Sequence, residues 1–388
     1  MSPNTPVIID AVRTPLGRAH PDKGCYRQVS SLELGTRVVQ GLLVRTGIPP
    51  ETIEDLLCGC AQQSGEQGGN LGRVLALAAG LPFSVAGATV NRWCGSSLEA
   101  LAQAAWAIRA GDKQAQIVAG VEHMHHCPVE GNWDIPPELL QVTSRAALHM
   151  GLTAEFLAAS RNISRNAQDE YALQSHLRGA AAYQAGHFAA ELVAVPGHDA
   201  AGNALQIDRD QGVRAQTSLD QLAALPPAFQ PTGGTVTAGN SSPRSDGAAA
   251  LLVMSLAQAR ELGLRPLAAI MAASVVGVPP ALMGTGPVPA VEKLLQRTGL
   301  ALADFDHIEL NEAFAAQALA CIADLRLPVE KTNPLGGAIA LGHPLGASGA
   351  RIVTSLVHAL HRTDGRYGLA TMCIGLGQGI ALAVERMD

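Results

Sequence analysis

The chain has 388 residues, of which 47% are hydrophobic and only 15% charged, so it can bury large cores and does not have the composition of a disordered protein. Its formal net charge of −6 argues against a nucleic-acid partner. The N-terminal residues show no secretory signal, and the uncharged stretches 74–91 and 266–291 contain Gly and Pro that disfavour a membrane span. Seven cysteines form no framework typical of secreted proteins. We therefore expect a soluble cytoplasmic enzyme.

Strand and helix patterns alternate along the first part of the chain. Residues 6–10 form a β-branched run typical of a buried strand, and residues 32–46 carry apolar residues at helical spacing. A second helix is predicted over 97–110, closed by Gly111, and a buried strand over 116–120 follows it. Alternating strands and helices predict an α/β fold whose sheet is covered on both faces.

The second part of the chain repeats this order. A strand is predicted over 305–310 and a helix over 311–325. A glycine-rich turn and a further helix follow, and strands are predicted over 368–374 and 380–385. Because this turn–helix–strand order matches the order near Cys94, we expect two related halves whose equivalent turns face each other.

A stretch of different character separates the two halves. Residues 121–241 hold most of the histidines and many polar residues, and no low-complexity linker borders them. We expect them to form an insertion in the first half. The predicted division is therefore 1–120 with 242–265 as the N-terminal half, 121–241 as the inserted domain, and 266–388 as the C-terminal half.

The segment NRWCGSS places Cys94 at the start of a predicted helix. A thiol there lies at the positive end of the helix dipole, beside backbone N–H groups that have no helical partner. Such a position lowers a thiol pKa and supplies donors for an oxyanion. The alternative role, which is the commoner one for a lone cysteine, is that of a small buried hydrophobic residue.

Three further motifs carry candidate catalytic groups. His343 lies among small residues in GGAIALGHPLGASG, where a neutral imidazole can accept a thiol proton, although His-Pro beside glycines is more often only a turn. Cys373 ends a strand before a G-x-G-x-G run, which lacks the spacing of a dinucleotide fingerprint. Asn311 lies at a strand-to-helix junction, where its amide can orient a water molecule.

Two other clusters resemble metal or redox motifs. Residues 123–127 read HMHHC, but zinc sites usually take their ligand pairs from separated segments. Cys58 and Cys60 are closer together than the pair of a C-x-x-C motif, so we expect them to be buried for packing. We therefore expect no metal site.

Together these motifs resemble those of the thiolase family over essentially the whole chain. The likeness is carried by DAVRTPLGR, VNRWCGSS, TAGNSSPRSDGAAA, GTGPVPA, NEAFAAQ, GGAIALGHPLGASGAR and CIGLGQG, in that order. The segments CGSSLEAL, GVEHM, HMGLTAE and LATMCIGLGQGIA are most similar to the thiolase subunit of bacterial fatty-acid oxidation complexes. The resemblance implies a five-layer αβαβα fold built from two similar halves, with a loop domain inserted in the first.

The resemblance also implies a ping-pong acyl transfer with coenzyme A as co-substrate and no permanently bound cofactor. Cys94 would attack the 3-keto carbon of a 3-ketoacyl-CoA, and His343 would accept its proton. Cys373 would protonate the departing acetyl-CoA enolate and then deprotonate the incoming CoA. Asn311 would hold a water that forms one oxyanion hole with His343, and the N–H groups of Cys94 and Gly375 would form the other.

Contacts to CoA are also implied by the matching motifs. The residues expected to touch its nucleotide and pantetheine arms are Arg214, Ser242, His149, Met150 and Phe314. From the sequence alone, a solvated arginine in a loop is as good an interpretation of Arg214 as a contact to CoA. The chain departs from the common family pattern at Pro226, where Arg is frequent, and at Leu335, where Asn is frequent, and neither is one of the catalytic positions.

Several functions remain open within this resemblance. The preferred one is a degradative 3-ketoacyl-CoA thiolase of fatty-acid β-oxidation, as a homodimer or dimer-based oligomer that can join a hydratase–dehydrogenase subunit. The alternatives are an acetoacetyl-CoA thiolase or a thiolase for a ketoacyl-CoA from aromatic degradation. A non-catalytic acyl-CoA-binding subunit is a different class, and the presence of Cys94 and His343 argues against it. A decarboxylating ketoacyl synthase typically relies on paired histidines instead.

Overall fold

A computed structural model describes residues 1–129 and 134–388. The strands in this part of the chain are β1 (Pro6–Arg13), β2 (Gly17–Arg18), β3 (Asp55–Gly59), β4 (Ala86–Val90), β5 (Ala115–His123), β6 (Val195–His198), β7 (Ala204–Ile207), β8 (Ser245–Ser255), β9 (Ala268–Gly277), β10 (His307–Leu310), β11 (Tyr367–Ile374) and β12 (Gln378–Arg386). The α-helices are α1 (Ser31–Thr46), α2 (Leu71–Ala78), α3 (Ser96–Ala110), α4 (Arg145–Leu148), α5 (Met150–Ser160), α6 (Arg165–Gln184), α7 (Leu219–Ala223), α8 (Leu256–Glu261), α9 (Pro287–Thr298), α10 (Ala315–Leu325), α11 (Ala338–Leu341) and α12 (Ser348–Thr363).

The main sheet consists of two parts with the same strand order. The first part runs β4-β3-β5-β8-β1, and the second runs β10-β11-β12-β9 from the opposite edge. Beyond β10, Thr332 forms a parallel bridge to Ile308, at the place that β4 occupies beside β3. The two parts meet where β1 pairs with β9, at only two residue positions. The prediction of two similar halves is confirmed by this repeated order.

Helices cover both faces of each half and also fill the space between the halves. α1 and α2 pack on the outer face of the first half, and α9 packs with α10 on the outer face of the second. α3 and α12 contact each other and strands of both halves, and their apolar side chains share one core with both sheets. The sequence α, β, α, β, α of layers therefore matches the predicted five-layer architecture.

The inserted segment lies between β5 and β8. It contains α4 to α7 and the β6–β7 hairpin, and its helices α5 and α6 pack against α10 of the second half. The insertion therefore reaches from the first half to the outer helices of the second. β5 ends at His123 and β8 begins at Ser245, whereas the domain boundaries at 121 and 241 stay a prediction.

One predicted helix begins later than expected. The sequence pattern predicts a helix from residue 311, but α10 begins at Ala315. The backbone before α10 forms hydrogen bonds with neighbouring segments instead. The Asn311 N–H donates to the Thr371 carbonyl at 3.0 Å, and the Ala315 N–H donates to the Asn240 carbonyl at 2.9 Å. These tertiary hydrogen bonds hold residues 311–314 outside the helix, and the predicted start is wrong by four residues.

Among the described residues, none of the helices combines the length and apolar character needed to cross a membrane.

Candidate active site

Cys94 lies in the turn that joins β4 to α3. Trp93 adopts a positive φ of 48°, a conformation uncommon for a bulky residue, and Gly95 caps the helix. A side chain at Gly95 would collide with Ile374 of the opposite half, so the turn packs closely against β11. The backbone N–H groups of Gly375 and of Cys94 itself lie close enough to the Cys94 thiol to lower its pKa. Both predicted oxyanion donors are therefore near the Cys94 sulfur.

The thiol of Cys94 is less acidic than the sequence suggested. Burial raises its pKa to about 11, although the N–H groups of Gly375 and Cys94 lower it. The expectation of a lowered pKa rested on the helix start alone. Cys94 is only 5% exposed, and the loss of hydration disfavours the thiolate more than the two N–H groups favour it. The resting form is therefore the neutral thiol.

Cys373, at the end of β11, is buried and lies near Cys94. Burial raises the pKa of the Cys373 thiol well above its usual value, and the nearby sulfur of Cys94 raises it further. Its surroundings are apolar, because it packs with Met283 and Ala313, against which Met150 and Phe314 lie. The site therefore offers two neutral thiols on opposite sides of the joint between the halves.

His343 lies in the loop between α11 and α12, where it is 5% exposed. Its Nδ1 is 2.6 Å from the Ser348 hydroxyl, and its Nε2 is 3.4 Å from the Asn311 side-chain nitrogen. Burial lowers the pKa of the imidazole to about 3, and the charge of Arg351 lowers it further. The ring is therefore neutral, as a general base must be before it accepts a proton.

The turns that carry Cys94 and His343 adjoin each other. The Ala350 N–H in α12 donates to the Ser97 hydroxyl in α3 at 2.8 Å. A side chain at Gly349 would collide with the backbone of Leu98, so the two helices can approach only with glycine there. The first turns of α3 and α12 are thus fixed side by side, with both candidate residues just before them.

Two buried carboxylates anchor the loop of His343, and the sequence analysis did not identify either. Glu312 accepts hydrogen bonds from the Ile339 N–H at 3.1 Å and from the Ser175 hydroxyl at 2.7 Å. Glu122 accepts from the Gly346 N–H at 2.7 Å. Because these partners are far apart in sequence, no local motif reveals the contacts.

The residues expected to touch CoA fall into two places. Met150 and Phe314 flank Cys373, the ring of His149 contacts Phe229, and that ring in turn contacts Phe314. The Ser242 hydroxyl donates to the carbonyl of the residue before Phe314 at 3.0 Å. Arg214 instead lines a cavity of about 540 Å³ together with residues 215–217 and part of α7. Four of the five expected residues thus lie around one region near Cys373.

The histidine-rich segment 123–127 contributes two imidazoles to a cluster with Glu66. Glu66, His123 and His126 have side-chain nitrogen and oxygen atoms within 4.8 Å of one another. However, the two imidazoles are stacked at 3.9 Å with an interplanar angle of 17°, so one ion cannot lie in both ring planes. The Nε2 atom of His123 lies 3.1 Å from the Tyr26 carbonyl, and its Nδ1 accepts from the His126 backbone N–H at 3.1 Å, so both nitrogens of that ring already have partners.

Comparisons with known proteins agree with this geometry. Residues 6–257 match the model of the thiolase N-terminal domain, and residues 264–386 match that of the thiolase C-terminal domain. The chain is 53% identical to a 3-ketoacyl-CoA thiolase of Erwinia tasmaniensis over 98% of this chain and 99% of that protein. It is 51% identical to a 3-ketoacyl-CoA thiolase of Salmonella typhimurium over the same shares.

A solved structure gives the same result for the fold. The crystal structure of human mitochondrial 3-ketoacyl-CoA thiolase superposes with a TM-score of 0.91, at 36% sequence identity over all of both chains. The predicted thiolase fold and the resemblance are therefore confirmed. With two domain models that together span nearly the whole sequence, the chain belongs to the thiolase family.

Proposed function

We propose that the protein cleaves 3-ketoacyl-CoA with CoA, giving acetyl-CoA and an acyl-CoA shortened by two carbons. The observation that carries this proposal is the placement of two buried thiols near each other, with the backbone N–H groups of Gly375 and Cys94 close to the sulfur of Cys94. A single nucleophilic thiol suffices for thioester exchange. Cleavage of a carbon–carbon bond also needs an acid for the carbanion that leaves, and Cys373 supplies it.

In the first half-reaction, the Cys94 thiol gives its proton to His343, and its sulfur forms a bond to the 3-keto carbon of the substrate. The oxygen that becomes negative accepts hydrogen bonds from the N–H groups of Cys94 and Gly375. The C2–C3 bond then breaks, and its electron pair leaves as the enolate of acetyl-CoA. Cys373 protonates that enolate, so acetyl-CoA departs and an acyl group remains on Cys94.

In the second half-reaction, the Cys373 thiolate removes the proton of the incoming CoA thiol. The CoA sulfur attacks the acyl carbonyl, and the bond between that carbon and the Cys94 sulfur breaks. His343 returns the proton to Cys94, which regenerates both neutral thiols. In the first half-reaction, Asn311 and a water bound by its amide stabilise the oxygen of the acetyl-CoA enolate together with His343. This proposal is supported by the buried Asn311 Oδ1, which has no hydrogen-bond partner within the described residues.

CoA enters as a co-substrate in this proposal, and no bound cofactor takes part. Met150, Phe314 and His149 would contact its pantetheine arm beside Cys373, Ser242 would lie along the same path, and Arg214 would meet the nucleotide. The cavity beside Arg214 supports this placement, since a guanidinium there can bind a phosphate or stack on adenine.

The proposed role in the cell is fatty-acid β-oxidation in the cytoplasm. Relatives at 51–53% identity named 3-ketoacyl-CoA thiolase support it over a biosynthetic acetoacetyl-CoA thiolase. All seven cysteines are free, which suits a reducing compartment. A complex with a hydratase–dehydrogenase subunit would deliver the 3-ketoacyl-CoA, and co-purification of the two proteins tests it.

We further propose a homodimer. The outer edge of β4 has no neighbouring strand within the described residues, and such an edge is suited to pairing with a second copy. Apolar side chains are exposed nearby in the chain: Phe83 is 89% exposed, and Val74 and Leu77 on α2 are 45% and 42% exposed. Pairing along this edge would cover a surface adjacent to the turn of Cys94.

The proposal is tested by measuring cleavage of a series of 3-ketoacyl-CoA substrates from four carbons to long chains, with and without CoA. We expect cleavage only with CoA, and a kcat/KM that increases beyond the four-carbon substrate. Cys94→Ala should abolish cleavage, whereas Cys127→Ala, which removes a buried thiol that donates to the Ser64 carbonyl, serves as the matched control. Full activity in Cys94→Ala would refute the mechanism, and a preference for acetoacetyl-CoA would favour the biosynthetic alternative.

A further inference from the structure

Ser348 links the ring of His343 to a backbone carbonyl. Its Oγ lies 2.6 Å from Nδ1 of His343 and 3.0 Å from the carbonyl oxygen of Pro344. A carbonyl oxygen can only accept, so the hydroxyl hydrogen points to Pro344 and the hydroxyl lone pair faces the ring. Ser348 is fully buried, so water does not compete for either contact. This arrangement requires a hydrogen on Nδ1.

The other ring nitrogen fits this assignment. The Asn311 side-chain nitrogen lies 3.4 Å from Nε2, and an Nε2 without a hydrogen can accept from it. The contact that selects the tautomer with Nδ1 protonated and Nε2 free is the Ser348 hydroxyl, oriented by the Pro344 carbonyl.

We propose that Ser348 is a positioning residue that keeps His343 in this tautomer, so that Nε2 is the atom that accepts and returns the proton of Cys94. Its effect on rate rests on the proposed function, whereas the tautomer itself does not. As the bond from sulfur to the 3-keto carbon forms, the thiol proton moves to Nε2. The new Nε2–H then donates to the enolate oxygen of acetyl-CoA. A ring with its hydrogen already on Nε2 could not accept the thiol proton at that atom.

Ser348 also stabilises the ring after it has accepted the proton. The charged group that acts on His343 is Arg351, whose positive charge disfavours an imidazolium. Within the described residues, no carboxylate forms a hydrogen bond to the ring, and the contact of Glu122 with this loop is to the backbone N–H of Gly346. The hydroxyl, oriented by the Pro344 carbonyl, is thus the acceptor that remains on Nδ1–H throughout the cycle.

The test combines three variants of the full chain. Ser348→Ala removes the acceptor, and Ser348→Thr restores a hydroxyl. Thr354→Val is the matched control, because the buried Thr354 hydroxyl in the same helix donates to the Ala350 carbonyl at 2.9 Å without touching the ring. Nitrogen-15 NMR of protein labelled at its histidines reports the tautomer directly, and His343→Gln identifies the signal of His343.

In the native chain we expect Nδ1 protonated and Nε2 free, a pattern kept in Thr354→Val and lost in Ser348→Ala. The kcat of thiolysis should fall about 10- to 100-fold in Ser348→Ala, the usual cost of losing the partner that orients an imidazole, while KM for CoA changes little. Ser348→Thr should regain most of the rate. If Ser348→Ala does not fold, the tautomer in the native spectrum and the kcat of Ser348→Thr still test the inference.

Two results would overturn the inference: a hydrogen on Nε2 in the native chain, or a Ser348→Ala variant that keeps both the native tautomer and the full kcat. Failure of the proposed function looks different. The native chain would then show the expected tautomer but would not cleave any 3-ketoacyl-CoA.

Discussion

The nucleophile and its base rest as a neutral pair. Burial raises the pKa of Cys94 to about 11 and lowers that of His343 to about 3, so neither the thiolate nor the imidazolium is populated at neutral pH. A thiolate therefore forms only when a substrate carbonyl is in place to accept its charge. This protects the cysteine from unproductive reactions between turnovers.

The neutral pair predicts how the reactivity of Cys94 depends on pH. Because its pKa is raised, the thiolate fraction is small at neutral pH and increases tenfold per pH unit until the pH reaches the pKa. We expect the rate of alkylation by iodoacetamide to increase steadily from neutral pH to about pH 10. Mass spectrometry of labelled protein measures it, with Cys94→Ala as the background. A plateau that begins near neutral pH would show a resting thiolate–imidazolium pair instead.

At the scale of residues, the sequence predicted those candidate catalytic residues that lie next to a distinctive local motif. Cys94, His343 and Cys373 each adjoin glycine-rich turns, and Asn311 follows a strand. Ser348 has no such signal, since its role depends on the rotamer of an imidazole. The low acidity of Cys94 was also missed, because burial by the opposite half is not visible in a local motif.

The loop from α11 to α12 is the element on which the site depends. Glu312 binds its beginning through the Ile339 N–H, Ser245 binds the backbone of His343, and Glu122 binds the Gly346 N–H. Glu312 also accepts from Ser175 on α6, so the inserted domain contributes to the same anchor. The position of His343 is thus set by all three parts of the chain.

This anchoring predicts a specific cost for Glu312→Gln. The side-chain nitrogen of Gln would face either the Ile339 N–H or the Asn333 amide, which now donates to the carboxylate at 2.9 Å. Two donors would then oppose each other in a buried place, and we expect the free energy of unfolding to fall by about 1–3 kcal/mol, together with a loss of kcat. Urea unfolding and thiolysis measure the two effects. Glu170→Gln, on the exposed face of α6, is the control, and equal stability of both variants would contradict the account.

Helix boundaries show what local patterns can predict. α3 was expected over 97–110 and runs from Ser96 to Ala110, because apolar spacing and the cap at Gly111 are local features. α10 was expected from residue 311, but its first four residues bond to β11 and to residues 240–242 instead. Tertiary hydrogen bonds therefore override the helical pattern at Asn311, one of the candidate catalytic residues.

At the scale of the whole molecule, the site lies at the joint of two similar halves. The repeated order of turn, helix and strand predicted this arrangement, since α3 and α12 occupy equivalent places. The packing of the inserted domain on α10 was not predictable, because it depends on surfaces far apart in sequence. The joint explains why the backbone N–H of Gly375 lies near a thiol of the other half and lowers its pKa.

The proposed dimer predicts the effect of a charge at its edge. Phe83→Lys places a lysine at a side chain that is 89% exposed in the single chain, and we expect it to halve the mass measured by light scattering after size-exclusion chromatography. The control is Val329→Lys, at a residue of the second half that is 52% exposed and distant in sequence from β4. A native chain that is already monomeric, or a Phe83→Lys variant that keeps the native mass, would contradict the dimer.

The central claim is that an acyl group passes through Cys94, and intact-protein mass spectrometry after mixing with a medium-chain 3-ketoacyl-CoA in the absence of CoA tests it most directly. We predict one acyl adduct per chain at Cys94 and one equivalent of acetyl-CoA released, with the adduct removed when CoA is added. An adduct that also forms in Cys94→Ala, or release of acetyl-CoA without any adduct, would contradict the account.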